Sequence, residues 1–512
     1  MRKRHWGIPL ALAGLLSGVM TAAPAEAGVQ GPDLTKLVKI KDIRKHLVEL
    51  ERVAERNGGN RASGQPGFDA SVDYVVKVLK KAGYKPQVQN FDFEYYEQEA
   101  PTVFEQVSPA PATYTEALDG DFLTHYYSGE GDVTARAVPV DTDDPDGVGS
   151  GCESDDFEGF PAGSIALIVR GGCTFADKAA NAEAAGAVAA IIYQNPATAD
   201  QGPVNGTLGG RVVDIPVLGP TYELGSSLVA QAKAGELILH IKTDVFHEKR
   251  SSKNVIADTK LGDPNKTVVV GAHLDSVAEG PGINDNGSGS ATVLAIAEQI
   301  GKLGKKGLKN RVRFAWWGAE ESGLIGSDAY VASLSDEELS KIALNLNFDM
   351  LGSPNFARFV YDGDNSLGTP TDPPPGSAEI EKAFTDYFKK RKLATEPTAF
   401  DGRSDYYAFI NVGIPAGGLF SGAEVTKTPE QVKLYGGTAG EAFDKCYHQA
   451  CDDLTNINWT GLDQLADGAA HVVQRYAHSV EDVLAARTAT VTLKSTSSSA
   501  GGPEWRGGHL IR

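Results

Sequence analysis

An α/β fold interrupted by a small β-rich insert is the architecture the sequence predicts, on three observations. First, residues 41–57 carry a helical apolar stripe of Ile43, Leu47, Leu50 and Val53 that stops at Gly58 and Gly59. A second stripe of Val72, Val75, Val76 and Leu79 runs over 70–82, and residues 84–93 then alternate as a strand does. Second, the pattern resumes past residue 250, with strands at 267–272, 312–317 and 344–348 and helices at 290–303, 378–390 and 462–485. Third, from 100 to 249 the texture shifts to short β-rich runs at 164–169 and 189–193, separated by one Ala-rich helix at 177–185. Such an order describes an α/β sheet begun before residue 100 and completed after residue 250.

A chain of 512 residues exceeds one comfortable core, so two domains and short ends are expected. The divisions fall at 1–27, 28–99, 100–249, 250–486 and 487–512: a leader, the two parts of one domain around the insert, and a Ser- and Gly-containing tail read as flexible. With 48 Lys and Arg against 67 Asp and Glu the net charge is -19, which excludes a nucleic-acid surface. Arg2, Lys3 and Arg4, an apolar stretch over 8–20 and the small residues Ala25 and Ala27 read as an export signal cleaved after Ala27. No apolar run is long enough to span a bilayer, and no Cys follows the signal as a lipid anchor would need. The expectation is a secreted, monomeric protein with no membrane and no nucleic-acid partner. Export permits disulfides, and proximity pairs Cys152 with Cys173 and Cys446 with Cys451. A cysteine zinc site is the rival reading, but neither pair has the C-x2-C spacing such sites use.

Three strands deliver metal-binding side chains at their carboxyl ends, where ligands gather in open α/β sheets. The run 267–272 leads to His273 and Asp275, then through a Gly-rich loop to Asp285; 312–317 leads to Glu320 and Glu321; 344–348 leads to Asp349. His448 stands inside the Cys446 to Cys451 bracket, whose closure would hold its backbone still. Two imidazoles with Asp285, Glu321 and Asp349 suit two zinc ions bridged by one carboxylate. Neighbouring side chains diverge, so Glu321 can bind metal while Glu320 faces substrate as general base. Asp275 is placed to orient the His273 imidazole.

These residues resemble a known family. His273-Leu274-Asp275-Ser276, Asn284-Asp285-Asn286-Gly287, Trp317-Gly318-Ala319-Glu320-Glu321, Asn347-Phe348-Asp349-Met350 and Cys446-Tyr447-His448 are similar, in order, to the secreted two-zinc aminopeptidases of the bacterial leucine aminopeptidase, aminopeptidase S and aminopeptidase Y kind. The insert, with Arg170-Gly171-Gly172-Cys173-Thr174-Phe175 between a strand and its Ala-rich helix, resembles the protease-associated domain. The first resemblance implies a zinc-exopeptidase-like fold with a mixed, mainly parallel sheet flanked by helices, acting on peptides or proteins with a free amino terminus through a hydroxide bridging the metals. It implies that His273 and Asp349 hold one zinc and Glu321 and His448 the other, with Asp285 bridging. Tyr447 would steady the oxyanion, Met350 and Phe420 would accept a large apolar first side chain such as Leu, and the backbone near Arg403 would hold the substrate amine. It implies a cis peptide between Asp285 and Asn286 and, as in some members, a calcium site at Asp33, Asp463 and Asp467.

Other classes on this fold are a non-catalytic receptor-like module, a carboxypeptidase and a one-zinc cyclase. Loss of a ligand or of Glu320 would mark the first, and an intact Asp285 with both His disfavours the cyclase. The choice of substrate end is weakly encoded.

Overall fold

The computed structural model describes residues 31–117, 120–141, 149–196, 202–369 and 371–494. The expected export signal at 1–27 lies outside them, as do residues 495–512 of the expected tail.

Eight strands form the sheet of the larger domain, in the spatial order Glu396–Thr398, Phe359–Tyr361, Ala416–Phe420, Ile342–Phe348, Asp263–His273, Asn310–Trp317, Ile238–Asp258 and Gln87–Ser108. The four from Ala416–Phe420 to Asn310–Trp317 are mutually parallel, and antiparallel strands flank them. The sheet is therefore mixed and mainly parallel, as expected. Asp263–His273 shows why its residues alternate so little in polarity: Val268 and Val270 pack under helices Ile40–Arg56, Pro66–Lys81 and Gly289–Ile300, while Val269 joins Trp317, Tyr330 and Phe409 on the opposite face. Both faces are dry, so an apolar run is required.

Three elements differ from expectation. The second helix begins at Pro66, four residues before the expected start, because proline tolerates the first helical turn and its apolar stripe extends to Phe68. The closing helix is two, Trp459–His478 and Glu481–Lys494, broken where Ser479 turns extended at φ -152 and ψ 133. The second of these carries helical structure beyond residue 487, where the tail was expected to start. The strand expected at 84–93 continues to Ser108 and pairs antiparallel with Ile238–Asp258 from Gln87↔Ile256 to Ser108↔Ile238. The strands thus run unbroken past residues 100 and 249. On its outer part Ile238–Asp258 also pairs with Gly131–Pro139, which begins the insert's own sheet of Ile165–Val169, Ala189–Tyr193, Val217–Pro220 and Phe122–Thr124.

Both disulfides form as proximity suggested, Cys152 with Cys173 and Cys446 with Cys451. The peptide between Asp285 and Asn286 is cis. No helix among the described residues is long and apolar enough to cross a membrane.

Candidate metal centre

His273 is the last residue of its strand, and Glu320, Glu321 and Asp349 follow the ends of the two strands hydrogen-bonded on either side of it. Adjacent parallel strands therefore bring the three segments together at one edge of the sheet. Asp285 reaches the same point from the loop after His273. Its Oδ1 lies 3.2 Å from His273 Nε2 and its Oδ2 lies 3.1 Å from His448 Nε2. Asp349 Oδ1 is 3.3 Å from His273 Nε2, and Glu321 Oε2 is 3.1 Å from His448 Nε2. Two nests of donors thus share Asp285, one oxygen to each. Glu320 stands slightly back, its Oε2 4.0 Å from His273 Nε2.

The surroundings explain these aims. His273 Nδ1 lies 3.2 Å from the main-chain oxygen of Asp275; a carbonyl only accepts, so Nδ1 carries the proton and the Nε2 lone pair faces the site. The Asp275 carboxylate, expected to orient the imidazole, lies 3.6 Å from the same Nδ1. Its oxygens also accept the main-chain N–H groups of Glu320 and Glu321 at 3.3 and 3.4 Å. Asp275 therefore holds the paired glutamates while its backbone oxygen fixes the imidazole. Ser404 donates to Asp349 Oδ2 at 2.5 Å and accepts from Asn347 at 2.7 Å, fixing that carboxylate's free edge.

Two further residues build the site without any motif to announce them. Arg61 is completely buried and donates to the main-chain oxygens of Pro281 at 2.8 Å, Gly282 at 2.5 Å and Leu274, so one guanidinium laces the loop between His273 and Asp285. Gly282 is required in that loop: its φ is 58, and a Cβ there would sit 2.3 Å from the Asp285 oxygen. Asp452 accepts the N–H groups of Asn284 and Asp285, one on each oxygen. Asn456 ties Asp452 to Asp444, which in turn accepts from Asn284 at 2.6 Å. Burial raises the Asp452 carboxyl to about 8, with neighbouring Asp444 adding to the rise.

Burial also raises Glu320 well above the usual carboxylate range; His273 opposes this, while Asp405, Glu321 and Asp349 reinforce it. For His448 burial pushes the imidazole down, but Glu321 and Asp285 outweigh it and raise it to about 10. Carboxylates this dense force protons onto imidazoles unless a cation takes their place. The buried Glu321 Oε1 and Asp349 Oδ1 have no hydrogen-bond partner, as oxygens intended for a metal would not. The donor set, imidazole nitrogen with carboxylate oxygen, fits zinc.

A cleft opens over this cluster. Met350, Phe420 and Arg403 line it with Tyr447, all four expected at the substrate. The Tyr447 ring stacks on His448 at 3.8 Å, and its hydroxyl receives Arg403 at 3.3 Å; Arg403 also pairs with Glu424 at 2.7 Å. Of the residues suggested for calcium, Asp33, Asp463 and Asp467 all face Tyr387. Asp467 is bound to Arg391 at 2.7 Å, and Asp33 caps its own turn by accepting from Thr35. With Asp463, they are not among the described groups whose ligand atoms converge within 4.8 Å.

Residues 254–473 match peptidase family M28, and residues 133–228 match the PA domain. An aminopeptidase of Pseudomonas aeruginosa is 47% identical over 508 residues, covering 93% of this chain and 92% of that protein. A leucine aminopeptidase 2 of Trichophyton tonsurans is 39% identical over 487 residues, covering 94% of each. Among solved structures, a zinc aminopeptidase of Bacillus subtilis superposes with a TM-score of 0.55 at 26% identity, covering 85% of this chain and 94% of that one. The chain belongs to peptidase family M28, with an inserted PA domain, and is a hydrolase of peptide bonds.

Proposed function

We propose that the protein is an exported aminopeptidase that binds two zinc ions and releases a large apolar first residue, such as Leu, from peptides and proteins. The observation that carries this reading is the division of Asp285, Oδ1 toward His273 and Oδ2 toward His448, with Asp349 and Glu321 completing the two nests. Asp349 and His273 would hold one ion, Glu321 and His448 the other, with Asp285 between. Bound there, zinc supplies Lewis acidity and draws the pKa of water toward neutrality. The remaining work belongs to side chains. Glu320, within the cleft and 4.0 Å from His273 Nε2, takes the proton of the attacking water and returns it to the leaving amine. The Tyr447 hydroxyl donates to the oxygen that becomes negative in the tetrahedral state, and Arg403 behind it favours that charge. Met350 and Phe420 give the first side chain an apolar wall. The names of the relatives support the substrate end, and two disulfides support export.

The test is hydrolysis of leucyl anilide and N-acetyl-leucyl anilide before and after chelation, with zinc titrated back. Cleavage of the free substrate alone, lost on chelation and restored at two equivalents of zinc, is expected. Equal cleavage of the blocked substrate, or full activity in metal-free protein, would overturn the reading.

A further inference from the structure

The insert reaches the cleft in two ways. Tyr126, Gly206 and Thr207 line it together with Asp285 and Glu320. This wall is braced: Tyr126 and Thr207 form a β-bridge, Tyr126 N donates to Gly206 O at 2.9 Å, and Leu208 N donates to Tyr126 O at 3.0 Å. Behind it, a Cβ on Gly206 would meet the His125 ring at 2.6 Å and the Phe175 ring at 2.7 Å, so the wall rests directly on the insert's core. The next residue, Tyr127, is completely buried, and its hydroxyl shares one proton between Ser322 O at 2.8 Å and Glu94 O at 3.0 Å. Ser322 directly follows Glu320 and Glu321, in a segment whose Ala319 and Leu324 both have positive φ, at 53 and 60. The insert is thereby fastened to the loop that carries the base, and its wall lines the same cleft as that base.

Chemistry decides which part of a substrate lies there. The base returns its proton to the leaving amine, so the residue bearing that amine, the second of the peptide, lies beside Glu320. The first side chain goes to Met350 and Phe420. We infer that Tyr126 and Thr207 of the inserted domain form the subsite for the second residue of the substrate and set which second residues are accepted. This inference rests on the aminopeptidase reading above. An aromatic ring and a threonine on a braced backbone offer shape rather than charge, so selection is by side-chain size.

The experiment measures kcat/KM for Leu-Gly-amide, Leu-Phe-amide and Met-Gly-amide with the wild type, Thr207→Trp, Tyr126→Ala and, as an exposed control outside the cleft lining, Val412→Trp. Filling the wall with Thr207→Trp should lower the Leu-Phe to Leu-Gly ratio by about tenfold, the scale on which apolar pockets discriminate. Tyr126→Ala should raise it, and the Leu-Gly to Met-Gly ratio should stay near the wild-type value in both. Thr207 is partly exposed, so its variant remains informative if Tyr126→Ala fails to fold. A second-residue ratio unmoved in Thr207→Trp, or moved equally in Val412→Trp, overturns this inference alone. A wild type that cleaves none of the three amides overturns the aminopeptidase reading and this inference with it.

Discussion

Asp452 holds the backbone of Asp285 from behind, its two oxygens accepting the N–H groups of Asn284 and Asp285 at 2.9 Å each. One carboxylate therefore aims another. Asp452→Ala leaves two buried N–H groups without acceptors, at about 1–3 kcal/mol apiece. Both thermal stability and bound zinc should fall, with Asp452→Asn intermediate because its amide keeps a single acceptor oxygen. Metal analysis with thermal unfolding checks this, and wild-type values for the alanine variant would remove Asp452 from the account.

Arg61→Met should destabilise the protein by about 3 to 5 kcal/mol, the scale for deleting one side of a buried charge network. Arg61→Lys should recover only part, since an ammonium cannot span three carbonyls as the planar guanidinium does. Urea unfolding of the three proteins should rank them in that order.

Glu320→Gln and Glu321→Gln are neighbours with opposite expectations. The first should keep both zincs and lose about 10²-fold or more in kcat. The second should lose metal affinity, since Glu321 lies 3.1 Å from His448 Nε2. Zinc content beside turnover separates them, and near-normal turnover in Glu320→Gln would mean that another group is the base.

His125 predicts an acid-sensitive insert. Burial lowers this imidazole from 6.5 to about 4, Gly206 opposing slightly and Arg170 adding to the fall. The folded value lies below the unfolded one, so between 6.5 and 4 the unfolded chain binds more protons. Stability should fall as pH drops through that window, by about 3 kcal/mol in all, and level off below it. His125→Phe, still packed on Phe175, should flatten that part of a pH series of urea midpoints. An unchanged slope would count against the assignment.

Strand ends were the legible part of the site. His273, Glu320, Glu321 and Asp349 follow apolar runs directly, and parallel neighbours must place their carboxyl ends together. Arg61, Ser404 and Asp452 were not legible, because each acts on a segment far from it in sequence and none lies in a motif that binds metal. Arg61 stands 220 positions from Pro281. The strand read over 84–93 continues past Pro101 to Ser108: proline lacks the ladder donor, and here it falls within the register shift between Ala100 and Val103, where none is needed. Ser479 before Glu481 and Asp482 was a readable helix start inside an apparently continuous helix. For the calcium residues, helical spacing placed Asp463 and Asp467 on one face, but spacing could not reveal that Arg391 pairs with Asp467.

Trimming the molecule to its peptidase half is constrained by the shared ribbon of Gln87–Ser108 and Ile238–Asp258. Scissions at 100 and 249 would stop the two strands at different heights, because Ala100 is opposite Asp244 while Lys249 is opposite Glu94. The overhang would expose unpaired backbone groups, an invitation to edge-to-edge aggregation. Phe93 and Arg250 face each other across the ladder, so a turn of about two residues joining them would finish the ribbon as an ordinary hairpin.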